Sequence, residues 1–574
     1  MIYPSDSPEG RAARASELAL AGERQLRDGR LAQAIASFRE ATALSPQSAE
    51  HWLRLGRAQA ATTRLAVAES SLRRAYALAP ERADVALALA DLLLQENKAD
   101  AALEACRDAV ASEPDNIHAA VAEALLLPPV YTSSEDLLAW RKRFGEGLES
   151  LRARESRWPD NAQGVLAVEA TNFYLAYQGG DDLALQSGYS DFLASLLVRA
   201  APELQAPVAA NVGPRIRVGI ASSNLKVSTI SDYFGSWITD LPRDRFEVVT
   251  ILSAGIPDSR TGELARASDR FVAAHGNAAE IARTVRSLSL DVLVFLDVAM
   301  TPWGSLLANL RLARVQCAAW GHPVTTGSPF IDYYISCADM EPEGAEAHYR
   351  ERLVRLPGLG TRYLPPPAVE SARREHFGLP EKRRLYLCPQ SLFKIHPDAD
   401  ALYFGILERD PQAVLVFVAA TAEGQRRAFL DRLGKGMLHR GLVPRQQVKV
   451  LPLMSHRDFR RLMTVADVML DTPHWSGGRT SLDALGAGLP IVTLPGRYMR
   501  GRQSAAMLRT VGVEELIVDD AADYVERALA VASDAAYRER LSARIREGWG
   551  ELVERPEPVA ALAAALERMA EQSR

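Results

Sequence analysis

The sequence is poor in cysteine, with only Cys106, Cys317, Cys337 and Cys388 among 574 residues. They form no CxxC pair and lie far apart, which argues against a cysteine metal site or a disulfide framework and favours a reducing compartment. No basic excess is present, because the net charge is −5, so a nucleic-acid partner is disfavoured. No apolar run approaches the ~20 residues that span a bilayer, and the first residues lack a signal-peptide pattern. We therefore expect a cytoplasmic protein without a membrane span.

Several nucleotide and metal motifs are also missing. No GxGxxG follows the first β-rich run, where the chain reads Ala221-Ser222-Ser223-Asn224-Leu225-Lys226, so a dehydrogenase is disfavoured. There is no Walker A motif and no HExxH. The composition is otherwise ordinary for globular proteins, at 48% hydrophobic and 24% charged residues. The length exceeds what one core can organise, and it predicts three or four compact units.

The first part of the chain repeats every 34 residues. Pro46, Pro80 and Pro114 follow this step, and further positions keep it: Ala34, Ala68 and Ala102; Phe38, Leu72 and Cys106; Ala41, Ala75 and Ala109; Gly22, Gly56 and Ala90. The pattern resembles three tetratricopeptide repeats over residues 15–116, in which small residues let paired helices approach and a proline ends each pair. Such arrays commonly bind peptides or proteins. A structural or dimerising role is the alternative.

The pattern along the chain predicts five regions. They are an N-terminal tail (1–14), the repeats (15–116), a helical coupling domain (117–210), a first α/β lobe (211–375) and a second α/β lobe (376–574). Within the coupling domain, Thr171–Tyr177 carries aromatic residues at helical spacing, which we interpret as packing.

Apolar runs alternate with helical stretches in both lobes, which predicts parallel sheets covered on both faces. The predicted strands are Arg215–Ser222, Phe246–Leu252, Asp291–Asp297, Val315–Trp320, Asp332–Ser336 and Leu353–Pro357 in the first lobe, and Leu385–Cys388, Ala413–Ala419, Val448–Leu453, Val468–Asp471, Pro490–Leu494 and Glu515–Val518 in the second. Two doubly wound lobes in tandem predict a cleft at their facing strand ends. The last helix, Val559–Glu571, could pack back across the lobes.

A glycine turn in the second lobe is the strongest local signal. The strand at Val468 leads into Ser476-Gly477-Gly478-Arg479-Thr480 and then into a helix. Glycines let a ligand approach the backbone, and a helix N-terminus attracts anions. The turn therefore predicts a diphosphate site, with charge from Arg479, hydroxyls from Thr480 and Ser481, and Asp483 as an acceptor for ribose hydroxyls. A plain capped turn is the alternative.

Two further segments follow strands and should reach the same cleft. Lys394 lies in Ser391–Pro397, after the first strand of the second lobe, where it could neutralise a phosphate. His322 lies in the loop Trp320–Pro329 of the first lobe. A solvated lysine and a structural histidine are the alternatives.

Together these segments resemble glycosyltransferase family 41, the O-linked N-acetylglucosamine transferases. The similar stretches are Gly321-His322-Pro323 with Thr325-Thr326-Gly327, Leu392-Phe393-Lys394-Ile395, Ala466–Pro473 and Gly488–Gly496. The resemblance implies tetratricopeptide repeats followed by a GT-B fold of two Rossmann-like lobes. It also implies a UDP-sugar donor, inversion at the anomeric carbon, no cofactor, no essential metal and protein acceptors.

By position, the resemblance assigns Lys394 and Gly477–Thr480 to the donor diphosphate and Asp483 to the ribose. The Leu453-Met454 backbone would read uracil, and Phe459 would stack near the base. The chain also departs from the eukaryotic pattern, since Ser228 and Gly478 stand where those enzymes carry histidines. The segments Gly321–Ser328 and Arg500–Ser504 look more like bacterial members, including relatives of cytoplasmic N-glycosyltransferases that act on adhesins.

We expect transfer of a sugar, GlcNAc first, from a UDP-sugar to Ser or Thr of a protein held by the repeats. Lys394 and Arg479 would stabilise the leaving diphosphate, and Asp297 or, second, His322 would act as general base. Asp297 could instead cap a helix. The alternatives are glucosylation of Asn, decoration of flagellin from another nucleotide sugar such as CMP-nonulosonic acid, and a catalytically idle repeat scaffold. A homodimer is a further expectation.

Overall fold

The computed structural model describes residues 7–62, 65–158, 162–368, 370–419 and 422–572. The chain forms two compact units rather than three or four. The repeat unit comprises Met1–Tyr131, Lys142–Leu151 and Ala420–Leu430, and the α/β unit comprises Thr132–Arg141, Arg152–Ala419 and Asp431–Arg574. Within the described ranges, no helix is both long enough and apolar enough to cross a membrane.

The repeat unit consists of helices that pack in consecutive pairs. Its helices are α1 (Pro8–Arg27), α2 (Leu31–Leu44), α3 (Ala49–Ala60), α4 (Leu65–Leu78), α5 (Ala83–Gln95), α6 (Ala99–Ser112) and α7 (Ile117–Leu125), with part of α8 (Ser134–Ala153). The predicted repeats are confirmed as three helix pairs, α1 with α2, α3 with α4 and α5 with α6.

The 34-residue period follows from close contact inside each pair. A Cβ on Gly22 would lie 2.6 Å from Phe38 Cε1, and a Cβ on Gly56 would lie 2.6 Å from Leu72 Cγ. Only a small residue fits opposite the large side chain on the second helix, so the repeat requires that position to stay small. The predicted tail was too long, because α1 begins at Pro8, where Ser7 caps it and proline suits a first helical position.

The first lobe of the α/β unit is a seven-stranded parallel sheet in the order β3-β2-β1-β4-β5-β6-β7. Its strands are β1 (Ile216–Ser222), β2 (Phe246–Leu252), β3 (Arg270–Ala273), β4 (Val292–Phe295), β5 (Val315–Ala319), β6 (Tyr333–Cys337) and β7 (Arg352–Leu356). Helices α9 (Ala162–Leu166) and α10 (Leu183–Ala200) precede the sheet, and α11 (Thr229–Thr239), α12 (Ser259–Ala267), α13 (Ala278–Arg286) and α14 (Pro302–Ala308) connect its strands.

The second lobe is a five-stranded parallel sheet in the order β10-β9-β8-β11-β12. Its strands are β8 (Arg384–Cys388), β9 (Ala413–Val418), β10 (Val448–Leu451), β11 (Val468–Leu470) and β12 (Ile491–Val492). Its helices are α15 (Ala399–Arg409), α16 (Glu423–Leu438), α17 (Pro444–Gln447), α18 (His456–Met463), α19 (Arg479–Gly486), α20 (Gln503–Thr510), α21 (Ala521–Ser533), α22 (Ala535–Leu552) and α23 (Glu557–Gln572). Every residue of β9 is buried, as a strand covered on both faces requires.

Two strand predictions were wrong. β3 was not predicted, because its residues are exposed or only half-buried and it lacks the apolar run that marked the other strands. Glu515–Val518 is not a strand: Glu514–Leu516 forms a 3₁₀ turn, and Ile517 makes a single bridge to Thr493. The chain has no room to continue the pairing, because Asp520 already caps α21.

The order of strands places the chemistry-bearing residues at two switch points. In the first lobe the winding reverses between β1 and β4, which lead to Asn224 and Asp297. In the second lobe it reverses between β8 and β11, which lead to Lys394 and Asp471. Crevices outside the carboxyl ends of strands at such points are where α/β proteins bind ligands.

The last helix, α23, packs on the first lobe although it ends the chain. Met569 Sδ lies 3.6 Å from Cys317 Sγ on β5, and Tyr333 of β6 donates to Gln572 across 2.9 Å. The chain therefore returns from the second lobe to the first at its final helix.

Candidate functional site between the two lobes

Lys394 is a cation with apolar neighbours. It ends the 3₁₀ turn Leu392–Lys394 after β8, and its Nζ lies 5.5 Å from the centre of the Trp475 ring and 6.0 Å from that of Phe393. Burial lowers the pKa of Lys394 to about 8, because a charge is costly away from water. In the described part of the chain, no carboxylate forms an ion pair with it. Such a lysine is suited to an incoming anion.

The glycine turn is shaped by a buried carboxylate. Asp471, directly after β11, accepts hydrogen bonds from Gly477 N at 2.7 Å and from Ser476 Oγ at 2.8 Å. Ser476 Oγ also lies 2.8 Å from Ser504 Oγ and is fully buried. The Ser476 hydroxyl, expected at the diphosphate, is therefore turned into the lobe, where it holds the turn in place.

Polar atoms without hydrogen-bond partners surround this turn. Among the described residues they include Gln390 Nε2, Thr480 Oγ1 and Gln503 Oε1, all buried. A Cβ on Gly477 would lie 3.1 Å from Gln390 Nε2, and one on Gly478 would lie 2.6 Å from Gln503 Oε1. Buried polar atoms are nearly always paired in folded proteins. Several unpaired ones around one glycine turn therefore mark a place where a polar ligand completes the hydrogen bonding.

Arg479 spans the cleft. It forms an ion pair with Asp232 of α11 in the first lobe, and its Nε donates to Asp483 Oδ1 at 3.2 Å. Burial raises the pKa of Asp483, which Arg479 partly offsets. Tyr233 also lies against the turn, since a Cβ on Gly478 would be 1.9 Å from its hydroxyl. Arg479 and Asp483 thus lie together in the cleft, each as the other's partner, and a diphosphate or ribose would exchange with these contacts.

Asp297 lies in the first lobe, two residues after β4. Its Oδ2 accepts from Asn224 Nδ2 at 2.7 Å and from Ser222 Oγ at 2.9 Å. Burial raises the pKa of Asp297 to about 6, although both hydrogen bonds favour the ionised form. The alternative of a helix cap is not seen, because its side chain makes no capping hydrogen bond to the 3₁₀ turn Val298–Met300. A carboxylate with this pKa can accept a proton near neutral pH.

His322 is buried in an aromatic surrounding. Its ring stacks on Phe173 at 5.6 Å and lies 5.9 Å from Trp475 between centroids. Burial, with the charges of Arg500 and Lys394, lowers the pKa of His322 to about 3. Neither ring nitrogen has a partner at normal hydrogen-bond geometry. The imidazole is therefore neutral, and it is too weak a base at neutral pH to compete with Asp297.

Comparisons with known proteins agree on this architecture. Residues 360–551 match the model of glycosyl transferase family 41, which covers the second lobe with its Lys394 loop and glycine turn. This part of the chain is therefore similar to family 41. It is 26% identical over 344 residues to the "Probable UDP-N-acetylglucosamine--peptide N-acetylglucosaminyltransferase SEC" of Arabidopsis thaliana, covering 58% of this chain and 34% of that protein.

A second relative is the "Probable UDP-N-acetylglucosamine--peptide N-acetylglucosaminyltransferase SPINDLY" of Solanum lycopersicum, 30% identical over 273 residues, or 47% of this chain and 28% of that protein. The chain thus spans about a third of the length of these curated relatives. The structure of a mutant O-GlcNAc transferase of Thermobaculum terrenum superposes with a TM-score of 0.73, at 24% identity, over 98% of each chain. At this identity the match establishes the fold: helical repeats followed by two GT-B lobes.

An aromatic wall beside Lys394 was not recognised from the sequence. Phe173, Tyr174 and Tyr177 lie on the 3₁₀ turn Phe173–Gln178, and all three contact Phe393. Tyr177 also packs on Trp475 at 4.2 Å between centroids. The prediction of packing holds, but the packing is against the residues that enclose Lys394. The aromatic run Thr171–Tyr177 was the feature of the sequence that could have indicated this wall.

The residues that the resemblance assigns to the base lie around α18. Met454 precedes this helix and Phe459 lies within it, both partly exposed. Arg460 and His456 of α18 act on the pKa of Asp483, so this helix borders the predicted ribose position. Ser228 caps α11 and donates to Asn224 O at 2.7 Å. Ser228 therefore has a structural role at the start of α11.

Proposed function

We propose that the chain is a protein glycosyltransferase that moves a sugar, GlcNAc in the first instance, from a UDP-sugar to Ser or Thr of a protein. The single observation that carries this is the group of unpaired buried polar atoms around the glycine turn, together with a lysine that lacks an anion. A nucleoside diphosphate supplies both negative charge and acceptor oxygens. The names of the relatives support a UDP-GlcNAc donor and a peptide acceptor.

The reaction is a direct displacement with inversion. The acceptor oxygen attacks the anomeric carbon, the bond from that carbon to the β-phosphate oxygen breaks, and the electron pair leaves with UDP. Lys394 and the N–H groups at the start of α19 stabilise this developing charge, which is larger in the transition state than in the bound donor. The positive charge comes from the protein, so the transfer needs no divalent ion at the diphosphate.

The proton of the acceptor hydroxyl goes to Asp297. This carboxylate is ionised above its pKa of about 6 and remains basic enough to take a proton, whereas His322, with a pKa of about 3, does not. Asp483 accepts hydrogen bonds from the ribose after releasing Arg479, and Met454 and Phe459 border the base. The repeats, over residues 15–116, hold the acceptor protein in the cytoplasm.

The experiment compares Lys394→Ala with Lys382→Ala, an exposed lysine of the same lobe. We expect Lys394→Ala to lower the transfer rate by ~10²-fold or more, the usual effect of losing one preorganised group at a developing anion, and Lys382→Ala to leave it unchanged. Equal activity in both variants would remove the proposed role of Lys394. A thermal-shift panel of UDP, GDP and CMP identifies the nucleotide, since a ligand at about 100 times its Kd stabilises by ~2.7 kcal/mol.

Mass spectrometry of the product decides the linkage. Sugar on Ser or Thr supports the proposal, and sugar on Asn supports the N-glucosyltransferase alternative. A shift with CMP alone points to a nonulosonic acid donor. Failure to bind or hydrolyse any nucleotide sugar, with protein binding retained, would leave only the repeat scaffold.

A further inference from the structure

Three side chains that the transfer reaction does not use converge beside the site. His396 and Asp398 follow Lys394 on the loop after β8, and His474 precedes Trp475 on the loop before α19. Their ligand atoms all lie within 4.8 Å of one another. We propose that His396, Asp398 and His474 bind one divalent transition-metal ion of the zinc class, which fixes the two loops relative to each other. The metal site itself goes beyond the proposed function, and only its effect on diphosphate binding rests on that function.

The distances fit such an ion. Asp398 Oδ2 lies 3.3 Å from His396 Nδ1 and 3.0 Å from His474 Nε2. Tetrahedral zinc with bonds of about 2.1 Å holds its ligand atoms roughly 3.4 Å apart. The two distances to Asp398 are near this value, and the two imidazole nitrogens, within 4.8 Å of each other, move together when an ion binds. Two imidazoles and one carboxylate are the ligand set that zinc uses when a fourth position stays open for water.

Neighbouring groups orient the three ligands. Ser134 Oγ donates to Asp398 Oδ1 at 2.8 Å, which leaves Oδ2 to face both histidines. The Asp398 N–H donates to the lone pair of His396 Nδ1 at 3.1 Å, so this nitrogen is held beside Asp398 and an ion would replace the N–H as its partner. Hydrogen bonds of this kind around a metal site fix ligand orientation. Metal binding replaces the direct contact between His474 Nε2 and Asp398 Oδ2.

The backbone conformation of His474 and its contact with Gly179 hold this side chain in position. Its φ of +69° is in the left-handed region, which a histidine rarely adopts. A Cβ on Gly179 would lie 2.7 Å from His474 Cγ, so the ring lies directly on this glycine. His396 is buried while Asp398 is half exposed, which leaves the ion a path from solvent.

The consequence is a positioning role. The loop after β8 carries Lys394, and the loop before α19 carries the glycine turn. The hydrogen bonds through Asp398 already link these loops, and an ion replaces them with coordinate bonds. The ion itself lies with the three ligands and does not act on the leaving group. Lys394 and the turn are then held at one spacing for the two phosphates of a diphosphate.

The test uses the full chain without an affinity tag, stripped of metal by a chelator and then titrated with Co²⁺. We expect one Co²⁺ per chain, with the intense visible absorption of a four-coordinate ion, and its displacement by Zn²⁺. His474→Asn, which tolerates the left-handed backbone, and Asp398→Asn should each abolish that absorption. Ser134→Ala should weaken binding by ~10-fold. His439→Ala, an exposed histidine elsewhere in the lobe, should bind as the parent chain does.

Three results would overturn the proposal. They are absorption no stronger than that of hydrated Co²⁺, equal binding by the parent chain and Asp398→Asn, and a change of the Co²⁺ spectrum when UDP is added, which would place the phosphate on the metal. UDP binding to the stripped chain is measured separately with and without Zn²⁺. We expect Zn²⁺ to tighten it, and loss of UDP binding in both states counts against the proposed function and not against the metal site.

Discussion

Replacing Asp297 by asparagine should stabilise the protein while abolishing transfer. Burial raises the pKa of Asp297 from its ordinary 3.8 to about 6. Each pH unit between these values costs about 1.4 kcal/mol, so ionised Asp297 costs the folded state about 3 kcal/mol above pH 6. The contribution of this group to stability is full below pH 3.8 and is lost as the pH rises to 6. Asparagine never ionises and avoids the loss.

The substitution also preserves the local hydrogen bonds. Ser222 and Asn224 both donate to Oδ2, and the amide oxygen of asparagine can replace that atom. The assay is urea unfolding of parent and Asp297→Asn proteins at pH 4, 5, 6 and 8. We expect the difference in stability to grow between pH 4 and 6 and then to stay level at about 3 kcal/mol in favour of the variant. A constant difference, or a variant less stable at pH 8, would refute the reasoning. Retained transfer would remove Asp297 as the base.

Three further predictions concern the cleft and its walls. Asp232→Asn should tighten UDP binding several-fold in calorimetry, because Arg479 no longer has to leave a carboxylate; weaker binding would contradict this. UDP affinity should fall about tenfold per pH unit above pH 8, where Lys394 with its pKa of about 8 must first gain a proton; a flat profile to pH 10 would contradict it. Gly321→Ala should lower the Tm markedly, since its Cβ would lie 2.3 Å from Leu296 O, and an unchanged Tm would argue against this close contact.

Much of the fold could be predicted from local sequence patterns. The repeats were predictable because their packing recurs at fixed spacing, as the contacts of Gly22 with Phe38 and of Gly56 with Leu72 show. Buried strands were found within a residue or two because runs such as Ala413–Val418 are apolar throughout. β3 was missed because an exposed edge strand needs no such run, and one predicted strand failed because a helix cap follows it too soon.

Some residues of the site could likewise be predicted from the sequence, and others could not. Lys394 and the glycine turn were predictable, since each follows a strand and strand ends at a switch point face one crevice. The contacts of Asp232 and Tyr233 with that turn were not, because they depend on how the two lobes meet, which no local pattern encodes. The same holds for Phe173, whose partner His322 lies far along the chain. The pairing of Arg479 with Asp483 was within reach, as a contact four residues apart on one helix.

Several groups of this cleft are buried in the free protein without the partners that would stabilise them. Lys394 is charged beside aromatic rings, Thr480 and Gln503 keep buried polar atoms unpaired, and Asp297 is desolvated. Each lowers the stability of the free fold, because buried charges and polar atoms need partners. A diphosphate near Lys394 supplies such partners for the first three, and an acceptor hydroxyl supplies one for Asp297. The donor half of the site should therefore stabilise the fold when UDP alone binds, whereas the strain at Asp297 persists until an acceptor arrives.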